Sequence, residues 1–310
     1  MAKIAIALGG NALGNDPASE KQNVLVPAAV ITKLIKQGHE VIVGHGNGPQ
    51  VGIIYNSFSV ASAHDKTIPT MPFAECGGMS QGYIGYHIET AIANELKKNN
   101  INKDVICLLT QTIVDKNDPA FTNPTKPVGI FYKTLEEAKQ SLPKDSTIKE
   151  IPNKGFRRVV ASPKPITFMS IDTIKSMYEQ GKVVIVGGGG GIPTIIDDNG
   201  NYVGVEGVID KDYVMSKIAD LVSADILVIL TNVSNAYINY SKPDEKKLEI
   251  VPVNEMKQYV NQGFFASGSM LPKVDAAIKF VESKPGRKAI IAKLEDLDLA
   301  IQSKAGTHII

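Results

Sequence analysis

The chain has 310 residues, and 33 basic against 32 acidic groups leave a net charge of +1, with no single-sign block. That balance argues against electrostatic docking on nucleic acid or on an acidic membrane, so any anion recognition must come from local placement of charge. Two cysteines, Cys76 and Cys107, far apart and without a CxxC, argue against a disulfide scaffold and a structural zinc site. The size points to one large lobed domain or two domains.

In chain order, the first apolar run is KIAIAL (3–8), which reads as a buried strand running into Gly9-Gly10-Asn11. It is too short for a signal sequence or a membrane span, and a soluble cytoplasmic protein is expected. VPAAVITKLIKQG places Val26, Val30, Ile31, Leu34 and Ile35 on one helical face and stops at Gly38. EVIVGHG (40–46) is a second strand, entering the glycine loop GHGNGPQVG (44–52). A helix follows over 79–99, ending in lysines and asparagines, with Met79 and Ser80 expected at its free N-terminus. VICLL (105–109) is a third strand.

Residues 115–166 break the rhythm with seven prolines, one short helix (TLEEAKQSL) and the basic pair Arg157-Arg158. The segment is too long for a plain loop and reads as an inserted subdomain or lid. Within it NPTKPVG (123–129) sets Lys126 between two prolines, on a stiff stretch expected to be neither helix nor strand. Next come a strand with a glycine run, KVVIVGGGGG (182–191), a helix opened by Asp210-Lys211-Asp212, and a strand DILVIL (225–230). A hairpin is expected over 236–253, a helix from Lys273, and a last strand AIIA (289–292). Alternating strands and helices predict an α/β fold, a mostly parallel sheet with helices on both faces.

Ligands of such sheets bind beyond the carboxyl ends of the strands. Three strand ends here are glycine-rich, which lets backbone N–H groups approach an anion. Asn11 and Asn47 could orient a small planar ligand or serve the turns. No GxxxxGK[ST], GxGxxG, kinase HRD/DFG or GxSxG pattern is present. The five histidines lack a metal-ligand spacing, and His45 reads as a turn residue. Lys211 and Lys273 each open a helix, where a cation opposes the dipole; a bound polyphosphate would account for both. Asp210 is the expected N-cap of the first. Glycine loops with oriented lysines suit phosphoryl transfer, which asks mainly for positioning and charge stabilisation.

LGGNAL (8–13), HGNGPQVG (45–52), GGMSQGYIGYHI (77–88), DPAFTNPTKPVG (118–129), RRVVASPKP (157–165), GGGGIP (188–193), GVIDKD (207–212) and GSMLPK (268–273) together resemble the carbamate kinases, a branch of the amino-acid-kinase family, over nearly the whole chain. The resemblance implies an open αβα sandwich about an eight-stranded, mostly parallel sheet, with a small protruding subdomain at about 118–166. It implies a homodimer and the reaction ATP + carbamate ⇌ ADP + carbamoyl phosphate, used to make ATP at the end of arginine deiminase catabolism. Mg²⁺ would travel with the nucleotide, with no direct protein ligand. Residues 1–205 would bind carbamate or carbamoyl phosphate and 206–310 the nucleotide. By matching motif, Gly9, Gly10 and Asn11 would contact the transferred group. Gly46, Asn47, Gly48, Gly188 and Gly189 would complete the amide cradle. Lys211 and Lys273 would neutralise phosphoryl oxygens, Asp210 would organise them, and Lys126 would reach over the site. Two positions depart from the pattern. Leu271 stands where glycine is usual, and is expected to crowd the phosphates or shift Lys273. Ala161 replaces a usual proline.

Relatives acting on an amino-acid carboxylate or a nucleoside monophosphate share the glycine and lysine logic but not NPTKPVG with RRVV. A non-catalytic sensing module on the same fold predicts loss of Lys126, Asp210 or Lys211, and all three are present.

Overall fold

The computed structural model describes residues 1–9, 13–14, 16–144, 146–151 and 154–310. The first third of the chain runs β1 (Lys3–Leu8), α1 (Pro17–Asn23), α2 (Leu25–Lys36), β2 (Glu40–His45), α3 (Gln50–His64), α4 (Phe73–Lys98) and β3 (Val105–Cys107). The middle holds β4 (Gln111–Val114), β5 (Lys126–Tyr132), α5 (Leu135–Ser141), β6 (Ile148–Ile151), β7 (Gly155–Val160), β8 (Pro165–Phe168), α6 (Ile171–Glu179), β9 (Val183–Ile185), β10 (Ile192–Ile196) and β11 (Tyr202–Gly204). The rest is α7 (Lys211–Leu221), β12 (Ile226–Thr231), β13 (Tyr237–Ile238), β14 (Lys246–Lys247), β15 (Ile250–Val251), α8 (Val253–Asn261), α9 (Met270–Glu282), β16 (Lys288–Lys293), α10 (Leu297–Ile301) and β17 (Thr307–Ile309).

The main sheet has eight strands in the order β15-β17-β16-β12-β1-β2-β9-β3. Every neighbouring pair is parallel except β16 with β17. Side chains alternate across it, and the alternation of β1 defines two cores. Ala5 and Ala7 face Val214, Met215 and Ile218 of α7 and Val274 and Ala277 of α9. Ile4, Ile6 and Leu8 face Ile31 and Leu34 of α2 and Ile84 and Ile88 of α4. A sheet covered on both faces needs apolar residues at successive positions, which is why its strands are written as continuous apolar runs. In α2 the buried residues are Pro27, Ala28, Ile31, Thr32, Leu34 and Ile35, while Val26 is turned to solvent.

A second sheet, β11-β10-β4-β8, and the hairpin β13-β14 extend this body. The subdomain is a three-stranded sheet, β5-β7-β6, with α5 beside it. Lys126 is therefore the first residue of a strand, not part of an irregular loop. Proline and pre-proline backbones are already extended, and β5 is an edge strand, where a missing proline N–H costs no ladder bond. Val128 and Val160 seat the subdomain on Val51 and Tyr55 of α3 and Phe73 and Cys76 of α4.

Helix α4 begins at Phe73, six residues before the expected start, so Met79 and Ser80 lie inside it and offer no helix-end amides. Gly85 is there for close approach, since a Cβ on it would lie 2.2 Å from Cys107 Sγ, whereas Gly77 and Gly82 face open space.

Candidate functional site

The ends of β1, β2 and β12, the start of α7, α3 and strand β5 surround one cleft of about 520 Å³. The sequence of α7 explains its entry. Asp210 stands in extended geometry as N-cap, and its Oδ1 accepts the Asp212 N–H at 3.0 Å. Its other oxygen takes Lys126 Nζ at 2.9 Å, so one carboxylate fixes both a helix start and the subdomain's lysine.

Asp212 does the corresponding work deeper in. It is 2% exposed and accepts Lys211 Nζ at 2.5 Å on one oxygen and Lys273 Nζ at 2.7 Å on the other. Burial pushes the Asp212 carboxyl up, but the two lysines outweigh it and hold the group well below the usual carboxylate range. Burial lowers Lys211, with Asp212 opposing. The unit is an ionised carboxylate shared by two ammonium groups from different helices. The sequence pattern assigns Asp210 to organise Lys211 and Lys273; in the structure it is Asp212 that pairs with both, and Asp210 pairs with Lys126.

Gly9, Gly46, Asn47, Gly48 and Gly189 line the cleft. Gly10 and Asn11 lie outside the described residues. A Cβ at Gly48 would meet no protein atom within 4 Å, so packing does not ask for glycine there. Gly188 has a different place: it is buried, and a Cβ on it would collide with His45 and Gln81. Gly189 carries a positive φ of 62° and presses on Asn47, whose Nδ2 donates to Ser80 Oγ at 3.3 Å. Asn47 thus ties the glycine loop to α4. His45 is 1% exposed, its Nδ1 lies 2.7 Å from Gly46 O, and burial lowers its pKa to about 4, leaving a neutral ring that packs the turn.

A second cavity of about 600 Å³ opens from the first, sharing Thr231, Asn232, Ser269 and Lys273, and is walled by Tyr237, Tyr240 and Phe264. Its aromatic wall next to a lysine cluster suits a base joined to phosphates. Leu271 lines neither cavity; its side chain packs against the core beneath α9, so the expected crowding of the phosphates does not arise. Ala161 is 5% exposed and its carbonyl accepts the Val208 N–H at 2.9 Å, joining the subdomain's base to the segment before α7.

Sequence reasoning missed a buried polar cluster behind the glycine loops. Glu20 of α1, fully buried, accepts Gln50 Nε2 of α3 at 3.0 Å and lies 2.9 Å from His87 Nδ1 of α4. Gln50 Nε2 also donates to Gly14 O at 3.1 Å. Gln50 directly follows the Gly46–Pro49 loop, and α1 follows the first glycine turn, so the cluster sits where both loops are anchored. No group of three or more metal-ligating side chains occurs among the described residues.

An α/β sheet with a lysine-aspartate cluster and glycine turns at its strand ends is the architecture of a phosphotransferase. Residues 2–293 match the Amino acid kinase family, and the chain belongs to that family. A carbamate kinase-like protein of Mycoplasma pneumoniae is 53% identical over 310 residues, with full coverage of both chains. The carbamate kinase of Staphylococcus haemolyticus is 46% identical, covering 100% of this chain and 99% of its own. Among solved structures, carbamate kinase from Giardia lamblia bound to AMP-PNP superimposes with a TM-score of 0.92 at 42% identity, covering 100% of this chain and 98% of that one.

Proposed function

We propose that this chain is an ATP-dependent carbamate kinase, interconverting ATP and carbamate with ADP and carbamoyl phosphate. The observation that carries the reading is the convergence of Lys126, Lys211 and Lys273 from a subdomain strand and two helices onto one cleft, held by Asp210 and Asp212. The names and full-length similarity of the Staphylococcus and Giardia enzymes support the substrate.

In the forward direction a carbamate oxygen forms a bond to the γ-phosphorus as the bond to the β–γ bridging oxygen breaks, releasing ADP. Lys211 and Lys273 turn from Asp212 toward the phosphoryl oxygens, and Lys126 turns from Asp210 to cover them from the subdomain side. Gly48 leaves room for the transferred group, with Gly9, Gly46 and Gly189 beside it in the cleft wall. Neutralising charge that develops in transfer is the main catalytic task of such a site. Mg²⁺, carried on the nucleotide, would offset charge on the phosphates. Residues 1–205, with the subdomain at about 118–166, form the carbamate side, and 206–310 the nucleotide side. Exposed Ile166, Ile196 and Tyr202 on the second sheet favour a homodimer. A cytoplasmic role making ATP at the end of arginine deiminase catabolism fits the reaction.

The test is ATP formation from carbamoyl phosphate and ADP with Mg²⁺ in a coupled assay. Turnover above the spontaneous decay of carbamoyl phosphate is expected, and its absence would overturn the activity. Lys211→Ala is expected to lower kcat by at least about 100-fold, the scale of losing one charge-stabilising group. Wild-type rates in that variant would remove Lys211 from the chemistry.

A further inference from the structure

Arg157 and Arg158 are neighbours on β7 with opposite surroundings. Arg158 is closed off: it is 6% exposed, pairs with Glu206 at 2.5 Å and lies over the Tyr55 ring at 4.9 Å. Arg157 is held but not neutralised. Its Nε donates to Gly129 O at 2.9 Å, and its guanidinium lies 4.6 Å from the Phe131 ring centroid. Its terminal nitrogens have no carboxylate partner among the described residues. Partial burial pulls its pKa down, in keeping with a cation that lacks a counter-charge.

Arg157 lines the same cleft as Lys126, on the wall shared by Gly129 and Ile130 of β5 and Ile53 and Asn56 of α3. A guanidinium pinned through Nε and a ring face presents its remaining N–H groups as a fixed fork, suited to phosphate or carboxylate. Stability alone does not favour an unpaired, partly desolvated cation. Lys126 pairs with Val160, three residues further along β7, which is about 10 Å at the rise of a strand. Arg157 is therefore set back from Lys126 along the strand, in the wall that an anion entering the cleft would pass.

We propose that Arg157 is the capture contact for the phosphoryl group of carbamoyl phosphate, drawing it under the subdomain toward Lys126. The proposal rests on the phosphotransfer reading above. A capture contact acts on kcat/KM for the anion and leaves the chemical step alone. Because it acts over about one Debye length at 0.1 M salt, its effect weakens as salt rises.

The test compares wild type with Arg157→Ala and Arg157→Lys in the ATP-forming direction at low and high salt. Arg157→Ala is expected to lower kcat/KM for carbamoyl phosphate about 10-fold at low salt, with kcat within about twofold and KM for ADP unchanged. Its salt dependence becomes shallower than that of wild type, while Arg157→Lys keeps the wild-type slope. An unchanged salt slope in Arg157→Ala, or equal loss in kcat and in both substrates, overturns the proposal and makes Arg157 a strut of the subdomain. Calorimetry with phosphonoacetamide, a stable isostere of carbamoyl phosphate, separates the two readings. Wild-type binding without turnover defeats the phosphotransfer reading, and loss of that binding in Arg157→Ala still upholds the contact. No binding and no turnover by wild type overturns both.

Discussion

Asp212 stands between Lys211, its neighbour in sequence, and Lys273, 61 residues away on another helix. Removing its charge leaves two ammonium groups facing each other in a buried site. Asp212→Asn is expected to lower kcat at least about 100-fold and to cost about 3 kcal/mol of stability, since breaking a buried ionic group strands its partners. Steady-state kinetics and urea unfolding check both; a kcat within about tenfold of wild type would show that the lysines need no shared acid. The DKD triplet exposed both aspartates to sequence reasoning, but not their division of labour. An N-cap is a local property and could be inferred, whereas the choice of lysine for each acid depends on the crossing of α7 and α9. Leu271 teaches the same lesson in reverse: a departure from the pattern is obstructive only as long as the helix face it occupies is unknown.

At the scale of elements, α3 and β5 meet at two glycines. A Cβ on Gly52 would lie 3.3 Å from the Gly129 backbone, and Gly129 itself needs a positive φ of 73°. Gly52→Val is expected to lift the tip of the subdomain, raising KM for carbamoyl phosphate on the order of tenfold with little change in KM for ADP, because binding geometry at the acceptor side is lost. Equal KM values in the variant would show that the subdomain docks without this contact. Strands β1, β2, β3, β9, β12 and β16 of the main sheet were legible because burial on both faces writes itself as apolar runs; AIIA is not the last strand, since the short β17 follows it and joins the sheet antiparallel to β16. The inserted subdomain was legible from its prolines. What was hidden depended on partners distant in sequence: the strand character of Lys126, set by pairing with Val160, the early start of α4, where Gly78 and Gly85 fit against Ile192 and Cys107, and the Glu20–Gln50–His87 cluster, drawn from three helices.

For the molecule as a whole, stability and site meet at His45, buried at the end of β2. Its folded pKa of about 4 lies below the unfolded value of about 6.5. Above about pH 6.5 both states are neutral and the ring costs nothing. As pH falls from about 6.5 toward 4 the unfolded chain takes up a proton that the folded one refuses, and stability drops by up to about 3 kcal/mol. His308, also lowered by burial, acts in the same direction. Urea midpoints measured at about pH 7.5 and about pH 4.5 should fall further for wild type than for His45→Gln; parallel losses would clear His45 of the acid response.

The lysine-aspartate pairs carry one more implication. Three ammonium groups already have carboxylate partners before any phosphate arrives. On the proposed phosphotransfer reading, substrate binding is a change of partners, in which Asp210 and Asp212 release cations to the ligand and reclaim them when it leaves. Such a site holds neither set of reactants deeply, because a phosphoryl oxygen can win a cation here only by taking it from a resident acid. A catalyst built this way is a two-way valve, and the concentrations on either side decide which way it runs.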